Sequence, residues 1–400
     1  MPQRDIHHQK LPVPNPSAAA LSQQLVSRIA EEIEEKKGWI GFDRYMERVL
    51  YEPGFGYYSA GSLKFGARGD FITAPALGEL FARTLANQIA PVLGAIKNPE
   101  LLEFGAGDGS LAAILLNELA RLGAMPQRYA ILELSGDLQA RQRETIAARA
   151  PNALPSVTWL TGWPQNPIRG VVLANELFDS MPVRIFGWEE KRIWEYGVGL
   201  SDYGLFWSKR AADADFDNMV QDSLPVAVTG YPDRYMNELN DRLPSWFKEL
   251  EASMEQGMLL LVDYGDPRSE RYRPTHTAGT LRAYYQHRLL QSPFWWPGLC
   301  DLTADVDFSA VAKAAESAGL TVSGFVPQSQ MLLSGGLERV FPEAFDSAAD
   351  EIARMQLSQE VKRLTLPDEM GERFWGMALT KDYDGPLPGF ETRDFRYRLD

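Results

Sequence analysis

Four short stretches of the chain put glycines and carboxylates where chemistry could be done. The first is Leu101-Leu102-Glu103-Phe104-Gly105-Ala106-Gly107-Asp108-Gly109-Ser110-Leu111, an apolar run feeding a glycine turn. Glycines at 105, 107 and 109 permit a sharp turn and let a ligand approach bare backbone. An Ala/Leu-rich segment of helical periodicity, Leu111 to Leu122, comes next, and its first N–H groups would face that ligand. The second stretch, Tyr129-Ala130-Ile131-Leu132-Glu133-Leu134, reads as a buried strand with an acid, Glu133, at its end. An acid there can accept from ribose hydroxyls, and each hydrogen bond to a charged acceptor is worth roughly 1.5–3 kcal/mol. The third, Gly170-Val171-Val172-Leu173-Ala174, runs into Asn175-Glu176-Leu177-Phe178-Asp179, and the fourth, Met258-Leu259-Leu260-Leu261-Val262, into Asp263-Tyr264-Gly265. In open α/β sheets a ligand sits over such strand ends.

The spacing narrows the cofactor. A dinucleotide fingerprint reads G-x-G-x-x-G, but the third position after Gly107 is Ser110. Such a site also wants its acid about 20 residues on, whereas Gly105 and Glu133 are 28 positions apart. The sequence reads E-x-G-x-G-x-G, the loop pattern of class I S-adenosylmethionine (SAM) methyltransferases. SAM carries an ammonium, a sulfonium and a ribose diol and no pyrophosphate, so carboxylates beside the loop make electrostatic sense. A plain strand–helix corner is the competing reading of the glycines alone. Glu133, following in the right order, favours the functional one.

Composition bounds the rest. The chain has 400 residues, 45% hydrophobic and 24% charged, with a formal net charge of −14. That charge argues against general nucleic-acid or anionic-membrane binding and suits a basic protein partner. One cysteine, Cys300, and four histidines leave no disulfide, no cysteine metal cluster and no expected zinc site. No apolar run approaches ~20 residues, so no membrane span is expected. The polar, proline-bearing start is unlike a signal peptide, and the expected compartment is the cytoplasm.

The elements that must position these residues follow in order. Residues 1–16 read as a disordered tail. Ser17 is placed to N-cap a helix over Ala18 to Lys37 with Leu21, Leu25, Ile29 and Ile33 on one stripe. A short helix, Phe42 to Leu50, leads to two glycine- and aromatic-rich pieces, Tyr51 to Tyr58 and Gly66 to Pro75, which read either as a ligand lid or as a packed loop. Helices are expected over Ala76 to Ile96 and Asp137 to Ala150, and a third strand near Val157 to Leu160. Val183 to Lys209 reads as a small antiparallel insertion, 210–230 as a loop, and Arg234 to Met254 as a helix despite Pro244. Residues 266–306 read as a long connection, then come a helix over Asp307 to Gly319, a strand over Leu320 to Val326, helices over Ser329 to Leu364 and a last strand, Arg373 to Thr380. The expected division is a tail (1–16), N-terminal helices and lid (17–97), a Rossmann-like core (98–182 and 257–382), an inserted substrate or cap subdomain (183–256) and a C-terminal tail (383–400).

In this order the chain resembles the MidA-like family of SAM-dependent methyltransferases, which includes a mitochondrial complex I assembly factor that methylates an arginine. The resemblance rests on Gly69-Asp70-Phe71-Ile72-Thr73-Ala74-Pro75, the glycine loop, Ala174 to Val183, Val262 to Gly265, and Asp301-Leu302-Thr303-Ala304-Asp305-Val306-Asp307-Phe308. It spans about residues 42–380. Ala106, Asp108, Ala76 and the Trp295-Trp296-Pro297 loop depart from the expected pattern. The resemblance implies an α/β, class I (Rossmann-like, seven-stranded) fold with an N-terminal helical and lid extension, a small antiparallel insertion and a helical cap. It implies SAM as cofactor, held by Gly69, Asp70, Thr73, Glu103, Gly105, Gly107, Asp108, Gly109, Glu133 and Asn175.

Methyl transfer from a sulfonium is an in-line displacement, so alignment supplies most of the catalysis, about 7–11 kcal/mol in favourable systems. An arginine acceptor needs carboxylates that hold its guanidinium and draw charge from the attacking nitrogen. Glu176, Asp179 and Asp263 are the catalytic candidates. The implied partner is an arginine-bearing protein such as a respiratory complex I subunit, with no nucleic acid, no membrane span and a homodimer left open. A non-catalytic SAM-binding assembly factor is the alternative.

Overall fold

The structure, a computed structural model, describes residues 11–59 and 78–400. Its centre is a sheet of seven strands: β1 (Glu100–Phe104), β2 (Arg128–Leu132), β3 (Val157–Leu160), β4 (Ile168–Asn175), β5 (Met254–Asp266), β6 (Thr321–Pro327) and β7 (Phe374–Lys381). They lie in the order 3-2-1-4-5-7-6. β1 to β5 run parallel, and β7 is antiparallel to both β5 and β6. The inner strands are covered on both faces, which is why β4 and β5 are near-continuous apolar runs. One face packs against the helices Leu80–Ala95 and Ser110–Arg121, the other against Leu243–Ser253 and Phe308–Ser317.

The chain leaves β1 toward β2 on one side and β4 toward β5 on the other. That reversal opens a crevice between the carboxyl ends of β1 and β4, where ligands of such sheets bind. The glycine loop and the Asn175–Asp179 turn flank it.

Several expectations are corrected outside the sheet. The first helix is Pro16–Glu35, capped not by Ser17 but by Asn15, whose side chain accepts from the Ala18 N–H. Pro16 fills the first helical position, where a missing N–H costs nothing. Leu25, Ile29 and Ile33 are buried along its stripe. The expected loop over 210–230 contains a helix, Ala214–Ser223, capped by Asp213 and anchored by Phe216 and Val220 one turn apart. The expected helix over Arg234 to Met254 is a strand, Tyr235–Leu239, followed by a helix starting at Leu243. Pro244 falls in that helix's first turn, where it is tolerated, and pairing with Arg184–Glu189 decides the strand.

This strand joins Arg184–Glu189, Arg192–Ser201, Gly204–Ala211 and the short Ile40–Gly41 in an antiparallel sheet. The connection over 266–306 is not plain loop. It holds a small sheet of Arg282–Tyr285, Arg288–Leu289 and Asp301–Thr303. Val306–Asp307 then pairs in parallel with β5 at Gly265 and Asp266, a short eighth strand beside the seven of the central sheet. Among the described residues no helix is long and apolar enough to cross a membrane.

Candidate active site

After β1 the backbone turns through positive φ at Gly105, Gly107 and Gly109. Gly105 and Gly107 are exposed on the crevice side of the chain, while Gly109 is buried beneath Gln142. The Asp108 carboxylate accepts from the Ser110 N–H at 2.9 Å, fixing the entry to the helix. Gln142, fully buried on the helix Gly136–Arg149, donates to Gly107 O at 3.0 Å and to Glu133 Oε2 at 3.2 Å. Its own Oε1 accepts from the Trp159 indole. One amide thus ties the glycine loop to the acid after β2. Glu133 Oε1 accepts from the Ser135 N–H, which leaves lone pairs on both oxygens for hydroxyl donors. Burial pushes its carboxyl up.

Glu103 stands on β1, two residues before Gly105. Its side chain is buried and accepts from the Tyr129 hydroxyl at 2.7 Å. Burial raises its carboxyl to about 7.

The turn after β4 is built around Asp263. That residue is 0% exposed. Its Oδ2 accepts from the backbone N–H groups of Leu177, Phe178 and Asp179, and its Oδ1 from that of Tyr264. Both oxygens are therefore committed to backbone, and Asp263 shapes the turn. Burial, with Asp179 and Glu176 nearby, pushes its carboxyl well up. Glu176 sits in the left-handed region at φ +49, its N–H donating to Val262 O. Non-glycine residues held there cluster at functional sites. Asn175 Nδ2 approaches Glu176 Oε1 at 3.5 Å, and Asn175 Oδ1 is buried with no hydrogen-bond partner.

Asp179 gathers the remaining groups. Its Oδ2 accepts from the Tyr264 and Thr303 hydroxyls, and its Oδ1 is buried with no hydrogen-bond partner. Burial raises its carboxyl, and those hydroxyls oppose the rise. The Tyr51 hydroxyl donates to Ser180 O, and that of Tyr58 to Asp301 Oδ1. Burial holds the Tyr51, Tyr58 and Tyr264 hydroxyls well above their usual range, so they remain donors. Tyr264 and Thr303 stand in segments that carry the family resemblance, but nothing in the sequence marks them as site residues. Gln142 gave only a faint signal, a polar residue four before the buried Ile146 on an otherwise polar helix. Gly69, Asp70 and Thr73 lie outside the described residues.

Residues 84–326, more than half of the chain, match a family described as "Putative S-adenosyl-L-methionine-dependent methyltransferase". The chain belongs to that family. The MidA-like resemblance holds over nearly its whole length. A crystal structure of a COG1565 superfamily protein from Burkholderia thailandensis, bound to S-adenosyl-homocysteine, is 40% identical with a TM-score of 0.91, covering 97% of this chain and 99% of that one. Curated relatives include Protein arginine methyltransferase NDUFAF7, mitochondrial, of Mus musculus, 29% identical over 373 residues, 86% of this chain and 81% of the relative. The same-named Bos taurus protein is 28% identical over 400 residues, 92% of this chain and 85% of the relative.

SAM is the cofactor of this methyltransferase family, and the site's own chemistry fits it. A Cβ built on Gly107 would meet open space, the Asn175 carbonyl oxygen lacks a partner, and Glu133 stands at the end of the neighbouring strand. The Gly105–Gly109 backbone, Glu133 and Asn175 are the described residues that would hold it. When bound it supplies an electrophilic methyl on sulfur.

Proposed function

We propose that this methyltransferase methylates an arginine side chain of a protein partner. The observation that carries the reading is Asp179, a carboxylate braced by Tyr264 and Thr303 on one oxygen and buried without a partner on the other. A guanidinium offers only donors, and such an oxygen can accept from it. Glu176, at the start of the same turn, supplies the second carboxylate, held in place by the amides that converge on Asp263.

The two acids hold the cation and draw its charge from the attacking nitrogen. They accept the proton that nitrogen must lose as its bond to the methyl forms. Asp263 is a positioning residue. The names of the curated relatives support the arginine, and the complex I subunit implied by the family resemblance is the first partner to try.

The test is single-turnover transfer of labelled methyl to such a partner. Glu176→Gln and Asp179→Asn should each lower the rate about 100-fold or more, and S-adenosylhomocysteine should bind Glu176→Gln as it binds the wild type. Normal transfer by both variants, or labelling on a residue other than arginine, would refute the reading.

A further inference from the structure

A second cavity lies behind the Asn175–Asp179 turn. It has a volume of about 260 Å³ and lies between the inserted sheet, the helix Leu243–Ser253 and the helix Phe308–Ser317. Ligand sites for drug-sized molecules start near 300 Å³, so this one suits a ligand of about a dozen heavy atoms. Phe178, Leu243, Val306, Ala310 and Ala314 give it an apolar wall.

Its polar lining carries both signs, Glu238, Asp241, Asp305 and Asp307 beside three cations, Arg268, Arg271 and Lys313. The acids around it are largely spoken for. Glu238 pairs with Arg271, Asp241 with Arg184 and Asp305 with Arg282, and Asp307 caps the helix Phe308–Ser317 through the Ala310 N–H while lying near both Arg271 and Arg268. Arg271 is only 4% exposed, and its Nε is buried without a partner. The Nε of Arg268 is buried and unpartnered too. Two guanidinium N–H donors on residues that line this one cavity are thus unsatisfied, which costs free energy unless an acceptor arrives.

The geometry points to a binding site here for a small amphipathic carboxylate, its anion held by Arg268 and Arg271 and its hydrocarbon lying along Phe178 and Val306. The assignment does not rest on the arginine reading of the catalytic site. Phe178 forms part of the cavity wall, and the Ala304 N–H, from the same wall, donates to Asp179 O at 3.0 Å. An occupant would bear on both sides of the candidate catalytic turn.

The test is calorimetric titration of the full chain with octanoate, and with octan-1-ol as the uncharged comparison. Octanoate should bind saturably at one site and at least about tenfold more tightly than the alcohol, the size of one charge-assisted hydrogen bond. Arg268→Gln should weaken octanoate about tenfold and leave the alcohol unchanged, and Ala310→Phe should abolish both. Independently of any variant, the methyl resonances of Leu239, Leu243 and Val306 should shift together on titration with octanoate. Non-saturable binding, equal affinity for the alcohol, or shifts confined to other methyls would overturn the assignment.

Discussion

A Cβ on Gly107 would project into open space, whereas one on Gly109 would meet the Gln142 backbone at 2.9 Å. Both positions are left-handed, at φ +54 and +84, a conformation that costs an L-residue about 1–2 kcal/mol. The two substitutions should therefore separate. Gly107→Val should keep the fold with a loss of about that size and abolish S-adenosylhomocysteine binding in calorimetry. Gly109→Ala should lower the unfolding midpoint further, because backbone cannot give way as a side chain can. Glu103 makes a residue-scale prediction about pH. Its carboxyl is pushed up to about 7 by burial, from an ordinary 4.5. The folded state then keeps a proton that the unfolded state releases, so stability is greatest below pH 4.5 and is lost as pH rises toward 7. At about 1.36 kcal/mol per unit the effect is at most about 3–4 kcal/mol. Denaturant unfolding from pH 4 to 8 should show Glu103→Gln falling less steeply than the wild type over that window.

The turn after β4 belongs to the scale of elements, because a carboxylate from β5 holds it. Asp263→Asn would put an NH2 or a single carbonyl where three backbone N–H groups now converge. Each stranded donor costs roughly 1–3 kcal/mol. The variant should lose stability and methyl transfer together, whereas Glu176→Gln should lose transfer at an unchanged midpoint. Equal midpoints for both would remove Asp263 from its positioning role. The sequence carried the sheet well for a physical reason. Strands buried on both faces must be apolar runs ended by turn residues, so β1, β2, β4 and β5 and the acids at their ends are visible as one-dimensional patterns. What Asp263 does with its oxygens was not visible, since an acid at a strand end looks the same whether it faces a substrate or a neighbouring turn. Glu103 posed the same ambiguity, and the structure adds that one of its oxygens accepts from Tyr129 on the adjacent strand. Tyr235–Leu239 does not read as a strand because its partner, Arg184–Glu189, lies about fifty residues upstream and its faces carry buried polar groups, Asn237 and Glu238.

At the scale of the whole molecule, the inserted sheet and the connection after β5 are locked together by one buried ion pair. Glu238, on the strand Tyr235–Leu239, accepts from Arg271 Nη2 at 3.0 Å and from the Thr280 and Leu281 N–H groups. The side chains of Arg271 and Glu238 are 3% and 1% exposed. Gly279 can approach them only without a Cβ, which would meet the Glu238 carboxylate at 2.1 Å. Removing one member of such a pair leaves a buried charge uncompensated and typically costs about 3–5 kcal/mol, while replacing both with apolar groups is often close to neutral. Here the replacement cannot be neutral, because the Thr280 and Leu281 N–H groups would lose their acceptor. Arg271→Met should therefore destabilise by about 3–5 kcal/mol in denaturant unfolding, and Glu238→Gln by less, since the amide keeps one acceptor oxygen for those N–H groups. The double variant should be more stable than the sum of the single losses by at least about 1 kcal/mol, the coupling expected of groups in direct contact. Strictly additive losses would mean that the pair does not join the two parts. The insertion would then be held there by its apolar contacts and its other hydrogen bonds, such as Met236 N–H to Thr277 O and the Tyr272 hydroxyl to Glu238 O.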